Sequence, residues 1–182
     1  MGRNKCFERE QVLDKAMVLF WRKGFADTSL QDIEKATGVN KSGLYSEFSN
    51  KDEIYLECMK RYGETSGMIE VLQHEPMGWK NIEAFLMQSS KCHIQKGCFI
   101  ANSVREISIL PAAARQQIAS HIQKVKDALV KNLKAADVKN DVNVLVELLM
   151  SFNAGLALSL NGGDNPTLKN QVKKFLQLIN PT

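Results

Sequence analysis

The sequence lacks the patterns on which most enzymatic and metal-binding sites depend. Its four cysteines form no Cys-x-x-Cys pair, and its three histidines have no zinc-finger spacing. The chain also has no glycine-rich phosphate loop, no pair of carboxylates in a defined setting and no Ser/His/Asp arrangement beyond chance. We therefore expect neither an enzyme nor a metal site, and we expect no cofactor.

Long apolar runs are also missing. No run reaches the roughly 18 residues that a membrane span needs. The first five residues are polar and basic, but an amphipathic helix follows them instead of the apolar core of a signal peptide. These absences predict a cytoplasmic protein without membrane contact, in which the thiols stay reduced.

Neither positive nor negative charge is in large excess. The chain carries 24 Lys and Arg against 20 Asp and Glu, a net charge of +4, which permits nucleic-acid binding without requiring it. In the first third of the chain the acids nearly cancel the bases. Any DNA-facing patch must therefore be local, and we expect it to be built from Lys41, Lys51, Arg3 and Lys5.

Helical periodicity covers nearly the whole chain, and no strand pattern or internal repeat occurs. Apolar stripes predict about nine helices, separated by breaks at glycine and proline residues such as Gly24, Gly38, Pro76 and Gly97. The predicted fold class is therefore all-α.

Residues 28–48 predict two short helices joined by a tight glycine turn. Thr28 and Gln31 have the spacing of a capping box. Gly38 supplies the left-handed residue that ends the first helix, and Asn40 is a good cap for the second. The segment has the shape of a helix-turn-helix.

The second of these helices directs small polar, basic and tyrosine side chains outward. Leu44 and Phe48 are one turn apart and point inward, which leaves Lys41, Ser42 and Tyr45 on the outer side. This chemistry suits a helix that enters a DNA groove.

A further helix start follows at once. Asn50 can cap this helix, and Glu53 stands at the capping-box position. Lys51 lies in the first turn, where the helix dipole disfavours a cation. We therefore expect Lys51 to contact a DNA phosphate.

These residues together resemble the N-terminal domain of TetR-family transcriptional regulators. The matching pattern, from Gly24 to Lys51, is G-F-x-x-T-S-L-x-x-I-x-x-A-x-G-V-x-K-x-x-L-Y-x-x-F-x-N-K. It is specific because it fixes turns, core positions and outward positions together. The chain departs from the family at Glu47, where an aromatic residue or histidine is common, and at Gly43, where Thr, Ser or Ala is common.

The resemblance implies a three-helix DNA-binding domain at residues 6–65 and a helical effector-binding and dimerisation domain at residues 66–182. It further implies a homodimeric repressor of a pseudo-palindromic, double-stranded DNA operator, released by an unknown small-molecule effector. The DNA contacts expected on this basis are Thr28, Ser29, Asn40, Lys41, Ser42, Gly43, Tyr45 and Lys51.

The resemblance also implies an effector pocket among the fifth to eighth helices. Glu106 is the best single candidate there to meet a cationic or hydroxylated effector. The full set of pocket candidates is Trp79, Phe85, Ser89, Phe99, Asn102, Ser103, Glu106, His121 and Met150.

The last two predicted helices are candidates for the dimer interface. One is apolar around most of its circumference and the other is sharply amphipathic, so the pair either contacts a second copy or completes the core of one subunit. The resemblance favours the dimer. The expected interface residues are Leu145, Leu149, Phe152, Leu156, Leu168, Val172, Phe175 and Leu176.

Two other functions fit the sequence. A thiol-based redox regulator would use Cys92 or Cys98, and loss of its oxidant response on serine replacement would identify it. An architectural DNA binder would need no effector, and it would show little preference for an operator over random duplex at fixed salt.

Overall fold

The computed structural model describes residues 7–88, 98–160 and 166–180, and the regular structure in these ranges is helical. Its elements are α1 (Arg9–Lys23), α2 (Leu30–Thr37), α3 (Lys41–Glu47), α4 (Lys51–Thr65), α5 (Met68–Gln73), α6 (Trp79–Gln88), α7 (Phe99–Ser103), a 3₁₀ turn (Val104–Glu106), α8 (Ala112–Ala135), α9 (Val142–Leu160) and α10 (Leu168–Ile179). The predicted all-α class is confirmed.

Aromatic rings join the first four helices to the rest of the chain. The Tyr55 ring of α4 lies 4.9 Å from Phe20, 4.9 Å from Phe25 and 5.8 Å from Phe99 of α7, measured between ring centroids. Such pairs contribute about 0.5–1.5 kcal/mol each beyond the area they bury. The predicted domain boundary at residue 65 falls at the end of α4, and the core continues across it. The division at that residue stays a prediction.

Helix capping in α3 and α4 follows the sequence prediction. Asn40 Oδ1 accepts a hydrogen bond from Gly43 N, and Asn50 Oδ1 accepts one from Glu53 N, each at 2.9 Å. Gly38 ends α2 in the left-handed conformation, with φ of 76°. These three signals depend only on residues a few positions apart, which is why the sequence identifies them.

The predicted cap of α2 is wrong by one residue. Ser29 caps this helix: its Oγ accepts from Asp32 N at 3.1 Å, and Asp32 Oδ2 accepts from Ser29 N at 2.9 Å. Thr28 is fully buried, and its hydroxyl donates to the Gly24 carbonyl at 2.7 Å. Thr28 therefore closes the turn before α2 instead of starting the helix.

Two helices of the body end at defined points. Helix α4 extends past Tyr62 to Thr65, and the left-handed residue Gly67 (φ 68°) starts a separate α5. Helix α7 ends at Ser103, where the backbone tightens into the 3₁₀ turn. Ser103 Oγ donates to the Phe99 carbonyl at 2.8 Å in this last α-helical turn.

Asn132 is a buried polar side chain that ties α8 to the region around α5. Its Nδ2 donates to the Leu72 carbonyl at 2.7 Å and to the Ala128 carbonyl at 2.9 Å. Its Oδ1 accepts from Gly78 N at 2.9 Å, so that the turn before α6 is fixed to α8. All these groups are partnered, which a buried amide requires.

Most residues expected at a dimer interface lie in the core of one chain instead. Helix α9 packs on α7 and α8, and α10 packs on α6, so their apolar stripes are covered intramolecularly. Phe152 and Phe175, both half-buried, stack at 3.8 Å between centroids, and Leu176 is half-buried beside them. The expected interface residues that are at most 4% exposed are Leu145, Leu149, Leu156, Leu168 and Val172.

The apolar surface left open on α9 and α10 involves other residues. Val144, Leu148 and Leu158 of α9 are 57%, 44% and 54% exposed, and Leu178 of α10 is 79% exposed.

Helix α9 is also long and apolar enough to cross a membrane by length and composition alone: residues Val142–Ser159 have a mean hydropathy of 1.5. The expectation that no such stretch exists is corrected, because isolated Asn and Glu residues interrupt the run without lowering its average enough. The core helix of a soluble protein meets the same criterion.

We predict that Asn132→Ala lowers the free energy of unfolding by about 2–4 kcal/mol, because it leaves buried backbone groups at Gly78 and Leu72 without partners. Urea unfolding followed by circular dichroism measures this. Asn143→Ala, at an exposed position of α9, is the matched control and should change the free energy by about 0.5 kcal/mol or less. Equal effects of the two substitutions would contradict the bridging role of Asn132.

Candidate DNA-facing surface and effector cavity

Helix α3 presents one exposed polar face. Leu44 and Phe48 are 1% and 2% exposed, and they anchor the helix to the core. Lys41, Ser42 and Tyr45 are exposed on the opposite side, with 44% of Tyr45 accessible. This arrangement is the one that the sequence predicted for a helix that contacts DNA.

Three other residues expected to contact DNA have local structural roles at this surface. Ser29 and Asn40 are exposed, and each caps a helix with its side chain. Gly43 fits tightly: a Cβ atom there would lie 2.8 Å from Val39 Cγ1 and 3.3 Å from Phe7 Cε1. The departure from the family pattern at Gly43 therefore has a packing reason.

The expected phosphate contact of Thr28 is wrong, and that of Lys51 stays a prediction. The Thr28 side chain is buried and bonded to the Gly24 carbonyl, so it is not accessible to DNA. The Lys51 ammonium donates to the Phe25 carbonyl at 2.8 Å and lies 4.2 Å from the centroid of the Phe25 ring. These intramolecular partners explain a cation in the first turn of α4 without any phosphate.

Among the described residues, the positive patch expected at this surface is carried by Lys41. Of the four cations predicted to form it, Arg3 and Lys5 lie outside the described residues and Lys51 is engaged within the chain. Lys41 remains, 5.7 Å from the centroid of the Tyr45 ring.

Helix α2 begins with a fixed negative charge at Asp32. Lys23 Nζ lies 2.8 Å from Asp32 Oδ1, and together with the Ser29 hydroxyl it holds the pKa of Asp32 well below its usual range.

A single carboxylate connects the helix-turn-helix to the body of the protein. Glu106 Oε2 accepts from Phe25 N at 2.7 Å, and Oε1 accepts from Ala26 N at 2.9 Å. These two amides lie in the turn between α1 and α2, about 80 positions away in sequence. We name this pair of hydrogen bonds the Glu106 clamp. Glu106 was expected to face an effector; the structure shows both carboxylate oxygens bonded to backbone amides, and the effector contact stays a prediction.

The residue before the clamped amides has to be glycine. Gly24 has a φ of 87°, which disfavours residues with a side chain. A Cβ atom at this position would also lie 2.6 Å from Glu106 Oε2 and 2.9 Å from its Cδ atom. Gly24 therefore permits both the turn and the close approach of the carboxylate.

A polar cleft of about 530 Å³ lies beside the clamp, between α1, α4 and the α7 region. Within it, the Tyr55 hydroxyl donates to Ser103 Oγ at 2.7 Å, and burial raises the pKa of Tyr55. Expected pocket residues that line this cleft are Phe99, Asn102, Ser103 and Glu106. They lie where the N-terminal helices meet the rest of the chain, and we name this cleft the joint.

An apolar cavity of about 360 Å³ lies on the other side of α7. Three expected pocket residues, Phe85, His121 and Met150, line it. Trp79 is half-buried and lines neither space, and Ser89 lies outside the described residues. The other described residues of the lining are Met68, Cys98, Ile100, Ala101, Val104, Arg105, Ile122, Val125, Asn153, Ala154 and Leu158.

His121 of α8 is a buried residue in the lining of the apolar cavity. It is 9% exposed, and burial, with a smaller contribution from Lys124, lowers its pKa below the ordinary value of 6.5. The imidazole is therefore neutral at pH 7. Sequence reasoning missed Asn153 altogether, although an amide in the otherwise apolar α9 was a signal that could have found it.

The described cysteines are buried. Cys58 is fully buried, and desolvation raises the pKa of its thiol, which keeps it unreactive. Cys98 is 5% exposed and lines the apolar cavity. Cys92, the other residue expected in a redox mechanism, lies outside the described residues. The burial of Cys98 argues against rapid reaction with an oxidant.

Comparison with known proteins agrees with the geometry of the N-terminal helices. Residues 12–58 match the family model of bacterial regulatory proteins of the tetR family. The HTH-type transcriptional repressor ComR of Escherichia coli K12 is 27% identical over 198 residues, which cover 100% of this chain and 90% of ComR.

Solved structures share the whole fold. A TetR-family transcriptional regulator from Agrobacterium tumefaciens superposes with a TM-score of 0.84 at 18% identity, covering 94% of this chain and 96% of that one. A cysteine mutant of the TetR-family regulator CifR, complexed with 26-bp double-strand operator DNA, has a TM-score of 0.84 at 19% identity, covering 98% and 100% of the two chains.

We predict that Glu106→Gln lowers the free energy of unfolding by about 2 kcal/mol, because the amide has only one acceptor oxygen for two N–H groups and carries no charge. Hydrogen exchange of the Phe25 and Ala26 amides should accelerate in parallel. Glu83→Gln, at an exposed position of α6, is the control. Unchanged protection of both amides would show that the clamp does not hold this turn.

Proposed function

Because the chain belongs to the TetR family of bacterial transcriptional regulators, we propose that it is a homodimeric repressor that a small-molecule effector releases from its operator. It is a DNA-binding regulator and not an enzyme. The observation that carries the proposal is the exposed face of α3, where Lys41, Ser42 and Tyr45 project while Leu44 and Phe48 fix the helix from within. A repressor of this kind acts in the cytoplasm, where the DNA is.

The DNA contacts that we propose follow from the polar groups that each side chain exposes on this surface. Tyr45 donates its phenolic hydroxyl to a phosphate, and Lys41 and Ser42 lie near base edges or the backbone. Ser29 and Asn40 cap their helices and are exposed, so that they stand at the edge of the same surface. In a dimer, two copies of α3 would meet successive major grooves about 34–36 Å apart.

We predict that Tyr45→Phe weakens binding to every duplex by about 1 kcal/mol, because one hydrogen bond to the backbone is lost. Lys41→Ala should weaken binding as well and reduce the salt dependence by about one phosphate contact. Fluorescence anisotropy with operator DNA at several salt concentrations measures both effects.

Lys139→Ala removes an equal charge from an exposed site in the turn before α9 and is the matched control. It should leave the salt dependence unchanged. Operator affinity that survives Tyr45→Phe and Lys41→Ala intact would remove α3 from the DNA interface.

The open apolar stripe of α9 supports the proposed dimer. Val144, Leu148 and Leu158 are exposed at helical spacing, and a Cβ atom at Gly155 would meet nothing within 4 Å. The glycine allows another helix to approach closely, and the exposed leucines supply the apolar area that a second copy would cover. Leu178 at the end of α10 extends this surface.

We predict that Leu148→Glu converts the dimer to single subunits, because each copy would place a carboxylate in the apolar interface. Sedimentation or light scattering should show the mass halved, and operator affinity should fall with it. The fold should persist because 44% of Leu148 is exposed in one chain.

Gln73→Glu adds the same charge at an exposed site on α5 and should leave the mass unchanged. A wild-type protein that has the mass of one subunit at operator-binding concentrations would exclude the dimer.

The segment 98–106 lines both the apolar cavity and the polar cleft, and it would therefore couple effector binding to release of DNA. Residues 98–106 line the apolar cavity with Ile100, Ala101 and Val104, and they line the joint with Phe99, Ser103 and Glu106. A molecule that binds the cavity better when this segment is displaced would loosen the Glu106 clamp and shift the population away from the DNA-binding arrangement. A difference in affinity of about 1–3 kcal/mol between the two states is enough for regulation.

A further inference from the structure

One residue in the lining of the apolar cavity carries a buried polar atom that has no hydrogen-bond partner. Asn153 lies on α9, lines the cavity and is 8% exposed, and its Oδ1 accepts no hydrogen bond in the structure. An unpaired buried amide oxygen is unfavourable, and in folded proteins such an atom calls for a specific explanation. A ligand that donates a hydrogen bond would supply the partner.

The charges around the cavity restrict what that ligand can be. No carboxylate is among the described residues of the lining, so a buried cation would find no counter-ion there. His121 is neutral because burial lowers its pKa. An anionic ligand would bring its own acceptor oxygens against Asn153 Oδ1. Arg105, the cation among the described residues of the lining, is exposed to solvent and therefore screened.

The remaining lining sets the size and character of the ligand. Phe85, Ile122, Val125 and Met150 give the cavity an apolar surface. Its volume of about 360 Å³ lies near the lower end of the ~300–1,000 Å³ typical of ligand pockets. A small molecule with a ring or a short alkyl chain fits this space.

We propose that the effector is an uncharged, predominantly apolar molecule with one hydroxyl or N–H group, and that this group donates a hydrogen bond to Asn153 Oδ1. The inference rests on the proposed function, because it specifies the chemistry of the effector that the repressor recognises. Asn153 thereby selects among apolar molecules that the rest of the cavity would accept equally.

The test uses the full-length protein and two probes that differ only in a hydroxyl, 4-propylphenol and propylbenzene. Calorimetry should show that the wild type binds 4-propylphenol about tenfold more tightly, which corresponds to about 1.4 kcal/mol. Asn153→Leu replaces the amide with an apolar group of similar size and should abolish this preference or reverse it. Asn143→Ala, at an exposed position of the same helix, should preserve it.

Each outcome decides the inference. Equal affinity of the wild type for the two probes, or no binding of either, would overturn it, and so would a preference that persists in Asn153→Leu. The wild-type comparison alone decides if the variant does not fold.

Operator binding without any probe is measured separately. Loss of probe selectivity with intact operator binding would refute only the role of Asn153, whereas absence of specific operator binding would refute the repressor itself.

Discussion

The carboxylate of Glu106 is the constraint on which the placement of the DNA-facing helices depends. Its two oxygens hold consecutive backbone amides of the turn between α1 and α2, so the contact fixes both the position and the direction of that turn. Lys51 fixes the Phe25 carbonyl of the same turn, and Thr28 closes it from within. Hydrogen bonds to charged groups are stronger than neutral ones, which suits a contact that positions one helical layer against another.

The segment that carries Glu106 is also the route by which the proposed effector would act on the DNA-facing surface. Residues of α7 and the 3₁₀ turn are divided between the apolar cavity and the joint, because a helix presents neighbours in different directions. Ser103 is hydrogen-bonded to Tyr55 of α4 on the joint side. A displacement on one face of this short segment therefore has little freedom to be absorbed before it reaches the other face, since the interior is closely packed.

The sequence predicted the parts of this structure that depend on near neighbours. Asn40 and Asn50 cap their helices because their partners are three residues away, and the outward position of Tyr45 follows from the inward positions of Leu44 and Phe48. The cap of α2 was misassigned because Thr28 with Gln31 and Ser29 with Asp32 have the same spacing, and only tertiary burial of Thr28 separates them. The Glu106 clamp was unpredictable, since its partners are backbone groups far away in the chain. Amphipathic patterns marked Leu145 and Val172 as buried, but a pattern cannot say whether the covering surface belongs to the same chain or to another.

Gly24 gives this arrangement a genetic consequence. A methyl group at that position would press on the Glu106 carboxylate from the side of the turn, and the carboxylate would have to swing away from the two amides that it holds. In the proposed repressor, substitution of this one residue would therefore act as an inducing compound does. A selection for constitutive expression of the target gene would recover alleles at the Gly24 codon.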